Sequence, residues 1–319
     1  MKCDYCSKNI VYHRKLSNEK VCKKHFIITV EKKIWRTVRK NNLFTPREKV
    51  VVGVSGGKDS LVMLYNVKKL QDRYPKGPKV EAILVDEGIA GYRGESIKIA
   101  REICKKWKVP IKIVSFQSKF GFNLDDLIEK LHQYKMNACT ICGTVRRRLL
   151  NDTARELNAD KIAIGHNIDD QAQTFLANIL RNDIKKIMLN KPSGQKKDVS
   201  DFLIPRVKPL IEIPENEIVL YSYYKGIPLQ TTPCPYIKGF SILRKKIQTF
   251  LNTLEDNSPE IKYNLLRANQ ELFKKLNQQP IRKEKPKIEK KINHCSICHS
   301  PCGKNRDICY YCELKEKFT

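Results

Sequence analysis

Residues 50–64, VVVGVSGGKDSLVML, place two adjacent glycines, a lysine and an aspartate between an apolar run and a helical pattern. A glycine turn lets backbone N–H groups approach a ligand, and the helix behind it adds unpaired donors and the positive end of its dipole. Phosphate suits such a turn. The spacing fits neither G-x-x-x-x-G-K-[ST] nor G-x-G-x-x-G, so the two commonest nucleotide loops are excluded. The plainer alternative is a tight turn with a solvated lysine, but the strand and helix fall where a phosphate loop needs them.

A second chemistry lies in the 12 cysteines. Cys3, Cys6, Cys22 and His25 stand as CDYC followed by CKKH, three thiolates and an imidazole suited to tetrahedral zinc. Cys295, Cys298, Cys309 and Cys312 pair two C-x-x-C elements as a zinc ribbon, leaving Cys302 surplus, with His299 inside the same turn as a weaker ligand. Residues 1–25 are too short to bury a core of their own, and ligation would supply their folding free energy. Cys104 falls on the apolar side of a helix beside Ile99 and Ile103 and reads as packing. Cys139, Cys142 and Cys234 remain. Three thiolates suit a cluster with one open metal position, or a redox pair plus a buried cysteine; spacing alone does not separate these.

These residues need a frame. KVVVGV, KVEAILVDEG, PIKIVSF and KIAIGH read as strands, alternating with helices near 60–71, 94–109, 124–136, after CTIC, and at NIDDQAQTFLANIL. Such alternation predicts an α/β fold with a parallel sheet and right-handed crossovers, whose ligands bind beyond the carboxyl ends of the strands. Ser55, Asp86 and His166 lie at such ends. CTIC is expected just before a basic helix start, GTVRRR, and residues 214–226 as a helix in which Tyr221, Tyr223 and Tyr224 are core rather than base-stacking platforms. The expected organisation is a zinc finger at 1–25, a connecting helix with a cationic face at 26–42 and a main domain at 43–254. A helix and charged linker then fill 255–294, and the ribbon 295–319. The lysine-rich stretch 182–201 is expected to be a mobile loop, and 277–294 a linker.

Lys+Arg number 62 against Asp+Glu 34 in 319 residues, a net +28 that would attract a polyanion. Nucleic acid is the leading partner. No segment has the apolar length of a membrane span, and MKCDYC is not expected to be a signal peptide. Repeated C-x-x-C in such a chain points to metal binding in a reducing compartment.

SGGKDS resembles the PP-loop of the ATP pyrophosphatases. With CTIC, GHNIDDQAQT, CPY and the two terminal cysteine sets, the chain resembles over nearly its whole length the tRNA 2-thiolation proteins, the branch with zinc fingers at both ends found in archaea, some bacteria and the eukaryotic cytosol. The resemblance implies a cytoplasmic, homodimeric enzyme acting on tRNA, with ATP, Mg²⁺, zinc at two sites and a [4Fe-4S] cluster on Cys139, Cys142 and Cys234. The sulfur would come from free sulfide or a ubiquitin-like carrier.

The same resemblance implies the division of labour. Gly53, Ser55, Gly56, Gly57 and Ser60 would hold the β- and γ-phosphates, Lys58 would add charge, and Asp59 would hold Mg²⁺ or orient the turn. Asp86 would face the adenosine, with Gly165, His166 and Asp170 closing the other side. ATP would adenylate the uracil C2 oxygen, sulfur would displace AMP, and Arg146, with Arg147 beside it, would stabilise developing charge. Without a cluster, Cys139 or Cys142 would carry a persulfide that Cys234 resolves. The Asn- and Lys-rich composition favours the wobble uridine over the T-loop, whose thiolation is a heat adaptation. Amidating or lysidine-forming relatives need no such cysteines, and a vestigial RNA-binding fold would not need Lys58 and Asp59.

Overall fold

The computed structural model describes residues 1–134, 136–189, 202–237, 242–278, 293–303 and 306–318. Two small hairpins open the chain: β1 (Lys2–Cys3) with β2 (Cys6–Asn9), and β3 (Tyr12–Arg14) with β4 (Glu19–Val21). Helix α1 (Lys23–Lys40) follows directly, burying Phe26, Val30, Ile34 and Val38 at helical spacing.

The sheet begins at β5 (Val50–Gly53), whose three valines are fully buried as a two-sided parallel strand requires. Next come α2 (Lys58–Gln71), β6 (Glu81–Asp86), α3 (Arg93–Lys106) and β7 (Ile111–Ser115). Helices α4 (Phe116–Phe120), α5 (Leu124–Gln133) and α6 (Ala138–Glu156) precede β8 (Lys161–Ala163) and α7 (Ile168–Leu180). The strands pair in parallel in the order β7-β6-β5-β8, and an edge strand β9 (Arg206–Val207) adds to β8. The chain winds outward from β5 through β6 to β7, then returns to the other side of β5. Strand order therefore reverses between β5 and β8, and the crevice beyond their carboxyl ends is where open α/β sheets bind ligands.

Both faces of the sheet are covered. One cluster joins Val50, Val52 and Leu84 to α1, α2 and α3, with Val21 of the amino-terminal hairpins in the same core. The other packs Val51, Ile83 and Ile162 against Ile141, Val145 and Leu149 of α6. Cys104 is buried in the first cluster, as packing requires.

After the short α8 (Ile184–Leu189) and β9, α9 (Glu215–Lys225) starts beyond Pro214 and ends at Gly226 in the left-handed conformation, as its residues predict. Tyr221 is fully buried in core and Tyr224 packs against it, whereas Tyr223 is exposed. Helices α10 (Ile242–Asn257) and α11 (Ile261–Gln278) pack on α7, and α12 (Tyr310–Phe318) seats Leu314 and Phe318 in the α6 cluster.

Three expectations change, the first being Tyr223, which lies on the solvent side of α9 rather than in core. Cys139 and Cys142 lie within the first turn and a half of α6 rather than before it, because Asn137 caps the helix by accepting from the Cys139 N–H at 2.9 Å. Residues 184–189 of the expected lysine-rich loop are helical; 190–201, like most of the expected linker (279–292), lie outside the described residues.

Candidate active site

The crevice between β5 and β8 is lined by the SGGKDS turn on one side and by residues 165–170 on the other. Gly56 has φ +84°, and a Cβ there would come within 2.5 Å of the Ser96 Cβ, so only glycine fits. The Ser55 N–H donates to the Ser60 hydroxyl at 3.1 Å, and the Gly57 N–H approaches the Ser55 hydroxyl at 3.3 Å. At Gly165 an added Cβ would lie 3.1 Å from the Ser60 nitrogen, so this glycine lets β8 close against the start of α2.

The charged residues form a connected set. The Lys58 ammonium lies 2.7 Å from Glu215 and 3.2 Å from Asp59. Burial opposes its charge, but these two carboxylates outweigh it and raise its pKa. Asp59 also accepts from the Asn167 side chain at 3.1 Å. Asn167 in turn caps α7 in a capping box with Asp170. Asp86, the last residue of β6, accepts from the Gly88 N–H at 2.9 Å.

His166 sits solvent-accessible in this cleft, and its pKa falls to about 4 through desolvation and the charges of Lys208, Arg244 and Arg206. It is a neutral imidazole at pH 7. Arg244 reaches Asp170 at 2.5 Å, and Lys208 donates to Gln171 at 3.0 Å. Lys208 is lowered to about 8 and Arg206 to about 10, in both cases first by desolvation. Cations crowded this closely favour an anionic occupant. Sequence reasoning missed Arg206, Lys208 and Arg244, because β9 is two residues long and α10 carries no motif.

The central cysteines stand beside the same crevice. Arg146 donates to the Cys142 sulfur at 3.1 Å, and its Nε lies 2.6 Å from Glu87, which is almost fully buried. Cys139 donates to the Tyr236 carbonyl at 3.8 Å, so the CPY turn packs against the start of α6. The Cys234 thiol is near enough for its charge to raise both Cys139 and Cys142, in each of which burial is the larger cause. These three sulfurs do not all lie within 4.8 Å of one another, as each terminal set does. One ion needs its donors that close, whereas in a multi-iron cluster each thiolate meets its own iron, so three thiolates that form no single-ion set are compatible with a cluster.

The terminal sets have the geometry of single-ion sites. Zn–S bonds of about 2.3 Å in a tetrahedron place sulfurs about 3.8 Å apart. Cys6 and Cys22 are 3.7 Å apart, and the His25 Nδ1 lies 3.4 Å from the sulfurs of Cys3, Cys6 and Cys22. Cys298 and Cys309 are 3.6 Å apart within the set completed by Cys295 and Cys312. Cys302 instead donates to the Arg306 carbonyl at 2.9 Å, and His299 stands outside the set. Arg148 of α6 donates to the Cys298 sulfur at 3.3 Å and to the Ser300 hydroxyl at 3.1 Å, tying the carboxyl-terminal set to the cysteine-bearing helix.

A PP-loop domain model matches residues 28–234. The tRNA 2-thiolation protein NcsA of Haloferax volcanii is 34% identical over 99% of this chain and 98% of its own. Cytoplasmic tRNA 2-thiolation protein 1 of Danio rerio is 36% identical over 85% of this chain and 78% of its own. The solved structure of the U34-tRNA thiolase NcsA from Methanococcus maripaludis with its [4Fe-4S] cluster aligns with a TM-score of 0.80 at 33% identity, covering 99% of this chain and 96% of that one. With its nucleotide turn, central cysteines and terminal metal sets in one frame, the chain belongs to the family of PP-loop tRNA 2-thiolation proteins.

Proposed function

We propose that this protein is a cytoplasmic, ATP-dependent tRNA-uridine 2-sulfurtransferase acting on the wobble uridine. The observation that carries the reading is the adjacency of the SGGKDS turn and Cys142 across Glu87, which pairs with arginines reaching each. The U34 assignment draws support from the full-length likeness to the Methanococcus enzyme.

In this reading the backbone donors of Gly53, Ser55, Gly56 and Gly57, with the Ser60 hydroxyl, hold the ATP phosphates. Lys58 exchanges Glu215 for phosphate, and Asp59, oriented by Asn167, faces the accompanying Mg²⁺. Asp86 bounds the adenosine side, and His166, neutral, accepts or donates a hydrogen bond without adding charge. The uracil C2 oxygen attacks the α-phosphorus and pyrophosphate leaves. Sulfur then attacks C2, and AMP departs with the former oxygen. Arg146 carries positive charge beside the thiols and stabilises the phosphate as it leaves.

Cys139, Cys142 and Cys234 hold a [4Fe-4S] cluster, which supplies an iron without a protein ligand where sulfide can bind. Cys3, Cys6, Cys22 and His25, and Cys295, Cys298, Cys309 and Cys312, hold structural zinc. The cationic cleft and surface take the tRNA backbone, and the target base enters unstacked, since a stacked base hides its C2 edge. Sulfide, free or from a carrier protein, is the donor, and the working unit is a homodimer.

Anaerobic purification with iron and sulfide analysis, followed by an assay of AMP release with tRNA, tests the reading. About four irons per chain and AMP formation that requires both ATP and tRNA are expected. Absence of iron removes the cluster; absence of tRNA-dependent AMP removes the enzyme.

A further inference from the structure

Three segments of the site meet on one helical turn. Ser96 of α3 abuts Gly56 so closely that no side chain fits between them. Arg93 donates to the Ser55 carbonyl at 3.2 Å and to the Val85 carbonyl at 2.5 Å. Its Nε lies 2.6 Å from Glu87, whose other oxygen lies 2.6 Å from the Arg146 that holds Cys142. Two residues along α3, Glu95 grips the turn carrying Cys234. One carboxylate oxygen accepts from the Thr231 N–H and hydroxyl, both at 3.2 Å, and the other from the Thr232 N–H at 3.3 Å.

We propose that the first turn of α3 is a junction seating the nucleotide turn and the Cys234 turn on one rigid element, with Arg93 and Glu95 as positioning residues. The identity of the group held by Cys234 rests on the thiolase reading; the coupling does not. A helix moves as a unit, so a change in the Ser55 carbonyl on anion binding passes through Arg93 to Glu95 and so to Thr231, Thr232 and Cys234. Arg93 and Glu87 are almost fully buried, and truncating either strands a charge in the interior. Glu95 is partly exposed, so its substitution leaves the fold intact.

The test follows the alkylation rate of Cys234 by mass spectrometry in full-length, zinc-loaded, iron-free protein, with and without a non-hydrolysable ATP analogue. In the parent protein the analogue slows alkylation. In Glu95→Ala, Cys234 reacts roughly ten-fold faster, as expected for loss of charge-assisted hydrogen bonds, and the analogue no longer changes the rate. Glu95→Gln, which keeps one acceptor, lies between. Equal Cys234 rates in the parent and Glu95→Ala, or protection by the analogue that persists in the variant, overturn the proposal. Iron-free protein makes the result independent of the cluster: loss of the thiolase reading leaves the Glu95 effect standing.

Discussion

Arg148 stands 3.3 Å from the Cys298 sulfur and, through its Nε, 2.6 Å from Asp152 one turn along the same helix. A tetrathiolate zinc site carries net negative charge, and a guanidinium donating to one of its sulfurs both orients that ligand and offsets the charge. Burial works against the Cys298 thiolate, but Ser300 and Arg148 hold the thiol down to about 6. Arg148→Ala is therefore expected to weaken zinc retention roughly 10- to 100-fold, the range for loss of an outer partner. Competition with a chromophoric chelator measures it. Because α12 packs in the α6 cluster, metal stripped from this set also loosens α6, seen as faster amide exchange at 141–149.

Gly56→Ala would force a methyl into Ser96 at φ +84°. Strain of about 1–3 kcal/mol at the turn is expected to lower ATP affinity at least ten-fold while the circular dichroism of the fold is kept. Isothermal calorimetry with the ATP analogue reads it, and unchanged affinity would remove the turn from nucleotide binding.

His166 gives a pH signature. Its ordinary pKa of 6.5 falls to about 4 in the folded chain. Between those values the unfolded chain binds the proton and the folded one does not, so stability rises with pH through this window and is fully present above 6.5. The imidazole resonance is expected to titrate near 4, and His166→Gln to flatten that part of the stability profile. An anion bound among Lys208, Arg206 and Arg244 cancels repulsion on the imidazolium and moves the midpoint upward.

Arg206→Ala and Lys208→Ala are expected to weaken tRNA binding and to reduce the slope of log affinity against log salt by about one each. Fluorescence anisotropy from low to physiological salt separates this from misfolding, which would leave the slope of the remaining folded protein unchanged.

The sequence disclosed the site where chemistry demands particular residue types at short range. The glycine turn, the terminal C-x-x-C pairs and the strand–helix alternation are local and lie where they were expected, whereas CTIC falls inside α6 because Asn137 caps the helix ahead of it. Cys234 was harder: its relation to Cys139 and Cys142 depends on a turn 92 residues beyond Cys142, held by contacts such as Glu95 to Thr231 that no periodicity announces. Glu87, Arg93 and Arg148 were illegible for the same reason. A buried arginine reads in sequence like any surface charge, and only packing reveals that its partner is a carboxylate or a sulfur.

The amino-terminal hairpins contribute Val21 to the sheet's own core, and Arg14 forks across to Glu217 of α9 at 3.0 and 3.1 Å. They are thus a wall of the enzyme body and not an appendage hung on a tether. A shortened chain beginning at α1 would bare the apolar stripe of Phe26 and Val30 and leave the buried Glu217 with Lys33, at 3.7 Å, in place of the closer Arg14 fork; it would be expected to aggregate before any loss of RNA binding could be measured.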